Sequence, residues 1–105
     1  MKLTKVYQGK DYNALMILTD GDSVVIDITG YTLTFVGRRH SATTNSITRL
    51  LVLSDPTNGV ATLNLSVTDT DVDLGEYSFQ IVGTDDAGEA HVFDTGHFTL
   101  QESYA

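Results

Sequence analysis

The residues with chemistry to offer fall into a few small groups. Asp69, Asp71 and Asp73 recur at every second position ahead of Gly75 and Glu76, a density of oxygen ligands that could hold calcium. An EF-hand loop needs Gly at its sixth place and Glu at its twelfth. Counted from Asp69 those places hold Leu74 and Gln80, so the motif fails. A looser calcium site then stands against a solvated corner in which an Asp caps a turn. His91, Asp94 and His97 are the right types for zinc, but they lie in a stretch that reads as a broken strand and need not share a face. Surface or interface histidines is the simpler reading. Ser, His and Asp all occur, yet no Gly-x-Ser-x-Gly elbow presents an activated serine. With no Cys there is no thiolate nucleophile or ligand. We therefore expect no enzyme and assign no catalytic residue, no metal and no cofactor.

Two groups remain as contact residues. Arg38, Arg39 and His40 form the basic cluster of the chain. They are a candidate interface for an acidic neighbour, set against a solvated strand end. Tyr7, Tyr12 and Tyr31 could line a sugar-binding face, or could simply pack in the core or at an edge.

Composition narrows the classes. A chain of 105 residues bounds the answer to one domain, residues 1–105. The formal net charge is −8, so phosphate backbones and anionic membrane surfaces are poor partners. All six Lys and Arg lie in residues 1–49. The asymmetry would suit head-to-tail contact between copies. Met1-Lys2-Leu3-Thr4-Lys5 is followed by no apolar stretch of signal-peptide length, and no run is long enough to span a membrane. The expectation is a soluble protein that does not use the usual export signal.

The elements that must position these residues are strands. Runs rich in β-branched and aromatic residues recur between Gly, Asp and Asn turns: Leu3–Gln8, Tyr12–Thr19, Val24–Ile28, Tyr31–Arg38, Ile47–Leu53, Val60–Val67, Tyr77–Val82, and the pieces Ala90–Phe93 and His97–Leu100. Tyr12–Thr19 is nearly continuous in apolar residues and reads as a central strand. Tyr31, Leu33 and Phe35 share one face; Ala61, Leu63, Leu65 and Val67 share another; Tyr77, Phe79 and Ile81 a third. Thr68–Leu74 could make one helical turn capped by Thr68 or Asp69. Asp94-Thr95-Gly96 reads as an interruption or bulge, and Gln101–Ala105 as a frayed tail.

Asp73-Leu74-Gly75-Glu76-Tyr77 has the sequence form of a tyrosine corner. In such a corner the chain passes between the sheets of a sandwich, and the tyrosine hydroxyl bonds back to the backbone. The expected fold is all-β: an immunoglobulin-like β-sandwich of about eight short antiparallel strands in two sheets. Phe35 is the candidate for the large central core residue.

Three further stretches carry a resemblance when taken together. They are Leu18-Thr19-Asp20-Gly21-Asp22 with Val25-x-Asp27-Ile28-Thr29-Gly30-x-Thr32-Leu33-x-Phe35; Asp55-x-x-x-Gly59-Val60-Ala61-Thr62-Leu63-x-Leu65; and Gly75-Glu76-Tyr77-x-Phe79-x-Ile81 closing on Phe93-x-Thr95-Gly96-x-Phe98-x-Leu100. Over about residues 12–100 the chain resembles the N-terminal immunoglobulin-like domain of phage baseplate upper proteins. The resemblance implies a virion structural protein, assembled in the host cytoplasm. It would anchor tail, baseplate or fibre components by contact with other virion proteins (tail hub, fibre or capsid) and form a homo-oligomer. Unlike that family the sequence has no heptads, neck or tip after the sandwich. Small acidic sandwich domains also resemble capsid decoration and head-fibre proteins. A carbohydrate-binding or adhesive module is the alternative from another class.

Overall fold

The computed structural model describes residues 5–20 and 22–102. Leu3, Thr4, Gly21 and the last three residues of the expected tail lie outside them.

Alternation of apolar and polar residues builds the larger sheet. Its centre is β3 (Thr32–Arg39), β7 (Gly75–Thr84) and β8 (Ala90–Gln101). β3 buries Leu33 and Phe35, β7 buries Tyr77, Phe79 and Ile81, and β8 buries Phe98 and Leu100. The edges are β1 (Lys5–Tyr7) and β4 (Ile47–Leu50), in the order β1-β8-β7-β3-β4. The smaller sheet has the order β2-β6-β5, from β2 (Tyr12–Ile17), β6 (Val60–Leu65) and β5 (Val52–Asp55). Its inner residues Met16, Ala61, Leu63 and Leu65 close the core against the aromatic rings of the larger sheet. Phe35 is fully buried and stacks on Phe79 at 5.4 Å between centroids.

The strand order identifies the fold. β2, β6 and β5 oppose β3, β7 and β8, and β4 extends the latter sheet beyond β3. This is the two-sheet division of an immunoglobulin domain with the added strand of the variable type. The chain is an all-β, immunoglobulin-like sandwich. Tyr77 sits near the start of β7, as the corner residue does in that fold. Its ring is buried and stacked on Phe98 at 5.1 Å, and its hydroxyl donates to the Asp73 carbonyl at 2.5 Å. Gly75, between them, has φ 137°, a region that L side chains avoid.

Several elements differ from expectation, each for a local reason. Not every pair is antiparallel: β1 lies parallel to β8. Ile47–Leu53 is two strands in different sheets. The chain crosses at Leu51, which turns inward and donates its N–H to the Leu33 carbonyl. Val24–Ile28 is not a strand. It makes one bridge, Thr19 to Val25, and its backbone is spent on separate partners: Ile26 N–H on the Leu18 carbonyl and Ile28 N–H on the Pro56 carbonyl. Ile28 still reaches the core.

β2 is an edge strand, not a central one. Val67 is exposed because it begins the single-turn helix α1 (Val67–Thr70). The cap of α1 is Ser66, not Thr68 or Asp69. Ser66 accepts from the Asp69 N–H, and the Asp69 carboxylate accepts from the Ser66 N–H. β8 runs unbroken through Asp94-Thr95-Gly96, and its register shifts beside Ile81 and Val82 instead. The extra residue is Phe93. The bulge exchanges inside for outside, leaving Val92 exposed and laying the Phe93 ring against Gly83, where a Cβ would collide with it.

Candidate functional site

The sheet alternation that packs the core also fixes two outer faces, and they differ in chemistry. On the larger sheet, Arg38 of β3 lies opposite Ser78 of β7, which lies opposite His97 of β8. Arg38 donates from Nε and Nη2 to the Asn45 side-chain oxygen at 3.2 and 2.9 Å. His97 Nδ1 lies 3.2 Å from the Ser78 hydroxyl, and the His97 ring meets His40 edge-on at 5.4 Å. Thr99 donates to the Glu76 carboxylate at 2.9 Å. These groups are matched within the domain, and the same face carries an apolar row of its own, Leu50, Thr34, Val82 and Val92, with Leu50 62% and Val92 56% exposed.

The outer face of the smaller sheet is uncharged, with exposed apolar residues set among neutral polar ones. Leu15 of β2, Thr62 of β6 and Val52 of β5 form one cross-strand row, and Ile17 and Val60 begin the next. Leu15 is 65% exposed, Ile17 57% and Val52 57%. Asn13, Asn64 and Ser54 complete the face, and no Lys, Arg, Asp or Glu interrupts it before Asp55 at its end. Its outermost strand, β2, pairs with β6 on one side alone among the described residues. Tyr12–Ile17 contains neither Lys nor Pro, the residues that usually block pairing at an edge.

The candidate residues from the sequence do not form compact sites. Arg38, Arg39 and His40 diverge. Arg38 turns to Asn45, Arg39 pairs with Asp73 at 3.6 Å, and His40 meets His97. Arg39, Ser46, Asp73 and Tyr77 instead line an open cleft of about 510 Å³. Burial raises the Tyr77 phenol pKa above its ordinary value. Asp69, Asp71 and Asp73 also separate: Asp69 completes the capping box with Ser66 and pairs with Arg49 at 3.4 Å, Asp71 follows α1, and Asp73 faces Arg39.

His91 lies at the β7–β8 turn, whereas His97 is six residues along β8, roughly 20 Å at strand rise. Asp94 accepts from the Thr95 N–H at 2.8 Å. The three do not converge on a metal. Tyr12 and Tyr31 pack partly against the core, and Tyr31 meets Phe93 edge-on at 5.5 Å. Tyr7 lies exposed on β1, at the opposite side of the larger sheet from β3. No aromatic platform results from these three.

Sequence reasoning missed two features. The apolar face was hidden because Leu15 and Ile17 read as core. The signal available was that Ala14 and Met16 alternate with them. The second is a donor group at the β7–β8 turn, Asp85, Glu89 and His91, whose ligand atoms all lie within 4.8 Å of one another.

No family model matches the sequence, and no curated protein sequence does. Among solved structures, murine CRIg aligns with 95% of this chain and 91% of its own, at 14% identity and a TM-score of 0.44. So distant a likeness carries no argument, and the fold assignment stands on strand order.

Proposed function

We propose that this chain is a non-catalytic attachment domain that works by protein–protein contact, with copies of the chain meeting through the outer face of the smaller sheet. The observation that carries the reading is that face: free of charge, with Leu15, Ile17 and Val52 exposed on it, and bordered by the unblocked edge of β2. A second copy is the occupant that charge favours. Two chains of net charge −8 repel wherever their acidic surfaces approach, and this face brings no acid to the contact until Asp55. Two β2 edges laid antiparallel about a twofold axis would also satisfy each other's outward backbone groups and set Leu15 and Ile17 of the two copies together.

Size limits the strength of that contact. Three strands by about five residues cover roughly 15 by 17 Å, or about 250 Å², at the usual strand spacing and rise. A stable pairwise interface buries about 800 Å² on each partner. The expected contact is weak for an isolated pair and becomes firm where symmetry repeats it. Such a contact suits a virion. The ordered motifs over about residues 12–100 support the same reading, through their resemblance to the N-terminal domain of phage baseplate upper proteins. Within a virion the role we propose is anchoring of tail, baseplate or fibre components.

The test is labelling of intact particles from the source with antibody raised against the folded chain, viewed by negative stain. Label at the tail end is expected. Label on the capsid shell would replace anchoring by decoration, and particles without label would overturn the virion reading.

A further inference from the structure

We propose that the tip of the β7–β8 hairpin is a binding site for a zinc-type divalent cation, held by Asp85, Glu89 and His91. The turn itself prepares the donors. Asp85 and Glu89 close it through the Asp85 N–H and Glu89 carbonyl at 3.0 Å, and the Gly88 N–H donates to the Asp85 carbonyl at 3.0 Å. Asp85 Oδ1 then accepts the N–H groups of Ala87 and Glu89 at 3.0 and 2.9 Å. Rotating that carboxylate away would give up both bonds. Its other oxygen, Oδ2, faces His91 Nε2 at 3.4 Å. Glu89 Oε2 lies 4.0 Å from the same nitrogen.

The distances that make these groups an ion pair also suit a chelate. Zinc holds nitrogen and oxygen donors at about 2.0–2.1 Å in a tetrahedron, which puts donors about 3.3 Å from each other. The His91–Asp85 separation, 3.4 Å, already has about that length. The His91–Glu89 separation needs a closure of under about 1 Å, available to a long exposed side chain. Donor type favours zinc over calcium or magnesium. Calcium takes six to eight oxygens and magnesium a near-ideal octahedron, and an imidazole with two carboxylates offers neither. Two carboxylates also balance the charge of a divalent ion, and the fourth position is left to water.

A rival pair of imidazoles, His40 and His97, lies at the other end of β8 and must be distinguished. The experiment is calorimetric titration of chelator-treated full chain with zinc chloride, and separately with calcium chloride. It is run on the native sequence and on His91→Ala, Glu89→Gln and His97→Ala. Each variant is first melted in chelator to establish that it folds. One saturable zinc site is expected, with no matching calcium heat. Affinity should fall at least about tenfold in His91→Ala and in Glu89→Gln and stay unchanged in His97→Ala. The melting temperature should rise with zinc in the native chain and in His97→Ala alone. Absence of saturable binding overturns the proposal. So does zinc binding that survives His91→Ala but is lost in His97→Ala, or calcium binding as tight as zinc.

Discussion

The two sheets share one core and differ on their outer faces. On the five-stranded sheet, Arg38, Ser78, His97, Glu76 and Thr99 find partners inside the domain. On the three-stranded sheet, Leu15, Ile17 and Val52 face outward with only neutral residues, Thr62, Asn13, Asn64 and Ser54, among them. A charged patch is the usual first choice for an interface. Here those groups are occupied, and the exposed apolar residues of the larger sheet, Leu50 and Val92, share their face with Arg38 and Glu76, whereas those of the smaller sheet have no charge among them. Exposed charge therefore marks a contact only when the domain has not already matched it.

That contrast can be broken or sharpened by substitution, and the largest effect should come from the core common to both sheets. Phe35→Ala empties the middle of the larger sheet beneath Phe79 and Phe98. It should cost about 3–5 kcal/mol of folding stability, measured by denaturant unfolding. Tyr77→Phe keeps the ring against Phe98 but removes the bond to the Asp73 carbonyl. A loss of about 1–2 kcal/mol is expected. No change in the unfolding midpoint would deny the corner a structural role.

The outer faces should respond in the opposite sense. Leu15→Lys with Ile17→Lys alters exposed positions, so folding stability should move by no more than about 0.5 kcal/mol. Self-association should nevertheless disappear. Arg38→Glu with Arg39→Glu removes the bonds to Asn45 and the exposed pair with Asp73. The stability change should again be small, about 0.5 kcal/mol, and association should persist. If association were lost there and kept in the lysine variant, the contact would belong to the larger sheet.

The smallest effect concerns acid. Hydrogen bonds from the Thr29 hydroxyl and N–H hold the Asp27 carboxyl below its ordinary pKa. A carboxyl depressed in the folded chain stabilises it above the unfolded pKa near 4, and that contribution is lost as pH falls through the folded value. Asp27→Asn should therefore leave a shallower acid limb in a plot of melting temperature against pH. Near neutral pH the two chains should differ by a constant amount.

Much of the sandwich was legible because half-buried strands alternate. Leu33 and Phe35, Ala61, Leu63 and Leu65, and Tyr77, Phe79 and Ile81 all point inward as their spacing implies. Three features were not legible. An apolar run does not say which of its residues face a core, so Leu15 and Ile17 read as buried. A run such as Ile47–Leu53 does not announce that its middle residue changes sheets. Sequence proximity also misleads about sites: Arg38, Arg39 and His40 are consecutive yet diverge, whereas Asp85, Glu89 and His91 meet across a turn. Asp85-Asp86-Ala87-Gly88 has the composition of a turn, and the donors on either side of it are the ones that a turn there folds together.

The central claim is that the face of Leu15, Ile17 and Val52 joins copies of this chain. Light scattering across a concentration series tests it most directly, with the Leu15→Lys, Ile17→Lys chain alongside the native one. The expected result is a native mass that climbs from monomer towards dimer while the variant stays monomeric and folded. A native chain that remains monomeric at every concentration, or a variant that associates equally well, would contradict the account.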